Sequence, residues 1–416
     1  MAFSLRTVVR AAPLWGLPIA LVSPSQAQEP PEPAKPPQDS PSTAAQIDDL
    51  LFRVEVLEDE LAKERSSRTT VPQSAGIFNP GITVFGNFLT RVDDQPVFVD
   101  ADPSLERIDD RSHLREVEVD FRAAIDPWAD GVVIATFESE VPGAFEAGIE
   151  EGYLTLKKLP FLESAPGGLR VKIGRFRPEF GRFNYIHLHD LPQPSYPRAL
   201  GNFLGPEGLI QEGFSGQFFL PSGSENSTLE GTLQVLDGGG LPLAPDTPGS
   251  QVATLGHLKW FRDLGESSNV ELGLSGYESD SSHQLFGVDA TYKWKPLRSG
   301  EWRSFLLGGE LFASRLDDPT LGDDPVGYYL WTQYQFDRNV YLGLRYDHAE
   351  ELADASQSTD ATGLFLTYYT TEFLRFRLGL EHTESDVAEL DGLNTALLEI
   401  NFVYGSHPVE PYWVNR

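Results

Sequence analysis

"LREVEVDFRAAI", residues 114–125, alternates without a break: Val117, Val119, Phe121, Ala123 and Ile125 fall on one side of an extended backbone, and Glu116, Glu118, Asp120 and Arg122 on the other. Successive side chains of a strand point to opposite faces, so this segment is a strand with one apolar and one charged face. The same period recurs in "RSFLLGGELFAS" (303–314), "VGYYLWTQYQF" (326–336), "NVYLGLRYD" (339–347), "EFLRFRLGLEH" (372–382) and "NTALLEINFVY" (394–404). Between residues 81 and 405 about sixteen such segments follow one another, the pattern of a transmembrane β-barrel. The expected fold is all-β: a 16-stranded antiparallel transmembrane β-barrel over 80–405.

The connections support this reading. "DPWADG", "PSGSEN", "DLGESS", "KPLRSG", "DRN" and "TTE" are tight, whereas the intervening connections are mostly long: 93–112, 178–207, 237–250, 316–325, 350–358 and 385–392. Short turns at one rim and long loops at the other are what such a barrel requires. Two soluble β-sandwiches would not need that alternation. A plugged, energy-coupled receptor would need a long plug domain and 22 strands, more than this length supplies.

Ahead of the barrel, residues 1–27 carry Arg6 and Arg10, a short apolar stretch broken by Pro13 and Pro18, and the ending Ser25-Gln26-Ala27. They read as a signal peptide cleaved after Ala27. Residues 28–44 form a Pro-rich linker. Over 45–66, Ile47, Leu50, Val54, Leu57 and Leu61 recur at three- and four-residue steps, a short periplasmic coiled-coil helix that needs the barrel to gather its copies. The alternative is one amphipathic helix packed on the barrel. Residues 406–416 are a C-terminal tail.

Composition narrows the function. A formal charge of −30 makes nucleic acid an improbable partner, and zero cysteines exclude disulfides and thiolate metal sites. Nucleophile–base signatures such as G-x-S-x-G are missing, and Ser275, Ser314 and His382 are scattered among strands, so no enzyme is expected. Charge on the polar face is too frequent to face hydrocarbon, where each Arg or Lys near the midplane costs roughly 2–4 kcal/mol. That face therefore lines water. It includes Glu116, Glu118, Asp120, Arg122, Arg170, Lys172, Arg345, Arg375 and Arg377.

The segment able to narrow the lumen is 178–207, "PEFGRFNYIHLHDLPQPSYPRALGNFLGPE". Folded inward, it would set Glu179 and Asp190, with Arg177, Arg182 and Arg198, against wall residues Arg345, Arg375 and Arg377. Opposed charge across a narrow gap orients polar solutes. The same arginines could equally pair with carboxylates to hold the loop. His187, His189 and Asp190 make one compact metal-like cluster, with loop hydrogen bonding as the ordinary alternative. No cofactor is expected beyond a loosely bound divalent cation at acidic outer loops.

At "GLRVKIGRFRPEFGRFN" the chain resembles the phosphate-selective porin O and P family, in which a strand ending in G-[KR]-F-x-x-x-F-G leads into the long loop; here these are Gly174, Arg175, Phe176, Phe180 and Gly181. "HLHDLPQPSYPRALGNFLGPEGLIQEGFSGQFFLP" and "YGSHPVEPYW" are similar to a branch of porin-like outer-membrane proteins, some labelled zinc-regulated. The resemblance implies a sixteen-stranded trimeric barrel, often preceded by a coiled coil. The chain departs from it in lacking a dense basic ladder and in ending "PYWVNR" rather than on an aromatic residue. The expected function is an outer-membrane porin of a Gram-negative-type bacterium, a homotrimer in lipid passing small hydrophilic solutes. The alternatives are a substrate-specific channel for an organic anion, a sugar or a metal chelate, and a structural envelope-tethering barrel that conducts nothing.

Overall fold

In the computed structural model, period-two segments become sixteen strands: β1 (Gly81–Asp93), β2 (Ser112–Asp126), β3 (Ala129–Glu138), β4 (Glu146–Leu156), β5 (Arg170–Phe176), β6 (Gln211–Leu220), β7 (Ser227–Leu236), β8 (Ala253–Asp263), β9 (Ser268–Ser279), β10 (His283–Trp294), β11 (Phe305–Leu316), β12 (Val326–Asp337), β13 (Val340–Glu350), β14 (Ser358–Thr371), β15 (Leu374–Ser385) and β16 (Leu393–Gly405). The structure describes residues 80–406 apart from 102–103, 106, 140–144, 160–165, 243–251, 280–282, 298–299, 301 and 317–323. The signal peptide, the linker, the coiled-coil positions Ile47, Leu50, Val54, Leu57 and Leu61, and the tail from 407 lie outside the described residues.

Every strand pairs antiparallel with its sequence neighbours, and β1 closes on β16 in a register that sets Asn87 opposite Asn401. Closure leaves no unpaired edge. Gly81 and Gly405, the ends of the first and last strands, share the rim of the tight turns. Two connections break the simple alternation: β9 and β10 are joined by a short segment on the long-loop rim, and β4 and β5 by a longer one on the other. Strand β5 is short and ends at Phe176, because Arg177 already turns into the lumen to pair with Glu150.

Burial along these strands is inside out. Glu118, Asp347 and Arg377 are each 1% exposed, while Leu274, Leu344 and Leu380 are 56%, 49% and 60% exposed. A soluble protein would reverse that order, since apolar burial drives its folding. The apolar face with Leu307 and Leu344 is an uncovered outward belt, and exposed Trp128, Phe336, Phe373 and Tyr404 band its tight-turn rim. Aromatic girdles of this kind mark the membrane interface.

Candidate functional site: the inward loop and its acidic wall

Residues 177–210, between β5 and β6, fold into the lumen. A neck of hydrogen bonds holds the two ends of this loop together. Asn184 donates to the Pro178 and Leu209 carbonyls at 2.8 and 3.2 Å and accepts from the Leu209 N–H at 2.7 Å. Arg177 is buried beside it, ion-paired with Glu150 and donating to the Glu207 carbonyl. Gly181 takes a left-handed φ of 62°, and a side chain there would run into the Glu310 carboxylate.

One side of the loop is apolar. Phe180, Phe183, Leu200, Phe203 and Leu204 pack against Leu285, Leu306, Phe312, Tyr329 and Trp331 of β10 to β12, an oily core inside the barrel. Helix α1 (Arg198–Leu204) begins after Pro197, whose fixed φ suits a helix start. Gly327 of β12 makes room for it, because a Cβ there would lie 2.6 Å from the Phe203 ring.

The other side is polar and is held all around the wall. Thr232 donates to Glu179 at 2.8 Å, the Gly181 N–H to Ser275 at 2.9 Å and the Phe183 N–H to Glu310 at 2.8 Å, while Arg182 pairs with Glu271. Farther along, Arg375 donates to the His189 carbonyl at 2.6 Å, Arg377 to Leu191 at 3.0 Å, Arg115 to Pro194 at 2.7 Å and Arg345 to Ser195 at 2.7 Å. Arg198 donates to Thr383 at 2.9 Å. Glu399, fully buried, lies within ion-pair distance of Arg115, Arg375 and Arg377. The wall arginines thus grip loop carbonyls while sharing carboxylates. Arg122 pairs with Asp120 at 2.7 Å, and Lys172 lies 4.6 Å from the Tyr153 ring centre. Arg170, exposed, opens β5.

His187 and His189 come together, but on the acidic wall of β2 and β4 rather than around Asp190. His187 Nδ1 lies 3.1 Å from Glu118 and 3.2 Å from Glu150, and its Nε2 is 2.9 Å from Glu151. His189 Nδ1 lies 3.4 Å from Glu118, and the ring stacks on Phe85 at 4.1 Å. Asp190 stays on the far side of that ring, 3.7 Å from Nε2. Burial alone would drive the His187 imidazole toward neutrality, yet Glu118 and Glu150 outweigh it and hold its pKa well above the ordinary histidine range.

Glu150 and Glu151 are both buried in the lumen because the register between β3 and β4 slips between Ile134 and Ala135, leaving Glu150 as the extra residue of a bulge. A bulge re-aims a side chain in this way. The period-two pattern passes over both residues, although adjacent glutamates in "GIEEGY" break the alternation and so signal it. Above them a cleft of about 980 Å³, open solvent included, runs from Val99 and Ile108 down to Glu116 and Glu150.

Ser275 and Ser314 each meet a different histidine across strands, His257 and His283, both at 2.8 Å, while His382 meets neither and lies 2.9 Å from Asn394. Ser275 already accepts the Gly181 N–H. Among the described residues His283 Nδ1 has no hydrogen-bond partner.

No family model matches the chain. A protein of Aquifex aeolicus described as uncharacterized is 26% identical over 347 residues, covering 72% of this chain and 70% of that one. Among solved structures, OprB of Pseudomonas putida aligns with a TM-score of 0.52 at 12% identity, over 81% of this chain and 96% of its own. The outer membrane channel DcaP of Acinetobacter baumannii gives 0.51 at 10%, over 78% and 97%, and an anion-selective porin from Comamonas acidovorans 0.50 at 11%, over 78% and 100%. At these identities the likeness is one of fold. The closed barrel, its greasy outer belt and this porin-like architecture place the protein in the bacterial outer membrane.

Proposed function

We propose that the protein is an outer-membrane channel for small hydrophilic solutes, with its passage along the acidic wall. One observation carries the reading: the inward loop fills the β10 to β12 side with apolar packing and leaves a solvent-filled cleft lined by the carboxylates of Glu116, Glu138, Glu150 and Glu207. A sixteen-stranded barrel without such a loop would be wide open. The lumenal carboxylates favour cations over anions, as an acidic ring does in cation channels. This argues against phosphate selectivity, which the likeness at Gly174 to Gly181 would imply. The reading includes a homotrimer, supported by the sequence period of Ile47 to Leu61 and by the fold.

Single channels in planar bilayers test it. Stepwise, ohmic conductance is expected, with a reversal potential in a KCl gradient on the cation side. Replacing residues 182–204 by a short Gly-Ser linker should raise the conductance several-fold. One feature favours the non-conducting alternative, namely the hydrogen bonds that tie the loop to most of the circumference. If the intact protein never conducts and only the excised one does, the barrel is a closed one and the channel reading fails.

A further inference from the structure

Four buried side-chain atoms, Glu118 Oε2, Glu150 Oε2, His187 Nδ1 and His189 Nδ1, have no aligned hydrogen bond among the described residues, and Glu118 stands at the junction of two close triads, one with Glu150 and His187 and one with Glu116 and His189. A buried polar atom without an aligned hydrogen bond costs about 1–3 kcal/mol, more if charged, so atoms that face one another only as ion-pair neighbours have room for a bridging partner. The Glu118 and His189 side chains are 2% and 3% exposed, which removes bulk water as that partner.

The spacings fit a cation. A tetrahedral centre with bonds of about 2.0–2.2 Å sets its ligand atoms about 3.3–3.6 Å apart, a spacing these side chains reach with small rotations. The approaches of His187 to Glu118, His187 to Glu150 and His189 to Glu118 are 3.1, 3.2 and 3.4 Å. Glu116 completes a second triad with Glu118 and His189, all within 4.8 Å.

The outer contacts are those of a ligand set. Glu151 takes His187 Nε2 and turns Nδ1 toward Glu118 and Glu150, while Phe85 stacks on the His189 ring. Metal-bound imidazoles are held by their other nitrogen in this manner. Arg177 occupies the first oxygen of Glu150 and leaves the second free to coordinate. The cleft above gives a route in from solvent.

We propose that Glu118, Glu150 and His187 bind a divalent transition-metal cation inside the lumen, with His189 and Glu116 forming the adjoining triad on the other side of Glu118. Mixed imidazole and carboxylate donors select Zn²⁺ and its neighbours over Mg²⁺ and Ca²⁺, which prefer all-oxygen shells of six or more. The inference stands whether or not the barrel conducts.

The test is calorimetric titration of the refolded full-length barrel in detergent, stripped with EDTA. Zn²⁺ should bind at about one per chain and outcompete Mg²⁺ and Ca²⁺. Glu118→Gln and His187→Gln should each weaken it by roughly tenfold or more, with folding checked by heat-modifiable migration. Absence of Zn²⁺ binding, stronger Mg²⁺ or Ca²⁺ binding, or affinity unchanged in both variants would overturn the site. If either variant misfolds, X-ray absorption on the zinc-loaded wild type decides: imidazole scattering in a mixed nitrogen and oxygen shell supports the proposal, and an oxygen-only shell refutes it.

Discussion

Gly181 is the residue at which the loop commits to the lumen. Its φ of 62° and the Glu310 carboxylate behind it leave no space for a side chain, while its N–H is held by Ser275. Gly181→Ala is therefore expected to lower stability by about 1–2 kcal/mol from the backbone alone, with the clash adding to it. Urea unfolding of the refolded barrel measures this; an unchanged midpoint would show that the loop is not seated there. The family-like motif gains a physical reason here: Phe176 and Phe180 are completely buried lumen anchors, and Gly181 is the turn between them and the wall. Alternation could show that Phe176 faces inward, but the need for a left-handed backbone at 181 arises from contacts across the barrel.

At the scale of the loop, its neck carries a pH dependence. Burial, then the hydrogen bond and charge of Glu138, and more weakly the charge of Glu150, push the Glu207 carboxyl up to about 9 against the opposing pull of Arg177. An acid held protonated in the fold stabilises it fully below its unfolded pKa, and that stability is lost as pH rises toward the folded value. With a chelator present, the urea midpoint should thus fall between about pH 5 and pH 9, and Glu207→Gln should flatten the decline. A rising midpoint would contradict the arrangement. That the loop is the longest and rich in aromatics was legible in its composition, whereas its inward turn depends on contacts across the barrel. The partners of His187 and His189 were not, because they lie on β2 and β4, and one of them depends on a bulge whose position is set by strand pairing. Asp190, the near neighbour in sequence, turned out to stand behind the ring instead of beside the nitrogen that faces Glu118.

For the whole barrel, sixteen strands and the direction of each face could be read in advance, since period two fixes both once one face must be wet. How much of the lumen stays wet could not, because lumenal Leu285, Leu306 and Phe312 find their apolar partners only in a loop far off in sequence. The lipid belt is open to test at Leu380, 60% exposed on β15. Leu380→Arg is expected to destabilise the barrel in lipid vesicles by roughly 2–4 kcal/mol if the site lies near mid-depth, while the same substitution costs far less in a short-chain detergent micelle. Equal costs in the two would place that surface against protein rather than lipid.

The grip of the loop on the first and last strands of the barrel has a consequence for assembly. Its carbonyls are held by Arg375, Arg377 and Asn401 of the last two strands, and its histidine stacks on Phe85 of the first. These anchors share one neighbourhood only after the seam between first and last strands has zipped. Seating the loop is therefore a late event in biogenesis, and a half-closed sheet would present the segment's aromatic side to chaperones and proteases until the final pairing sequesters it.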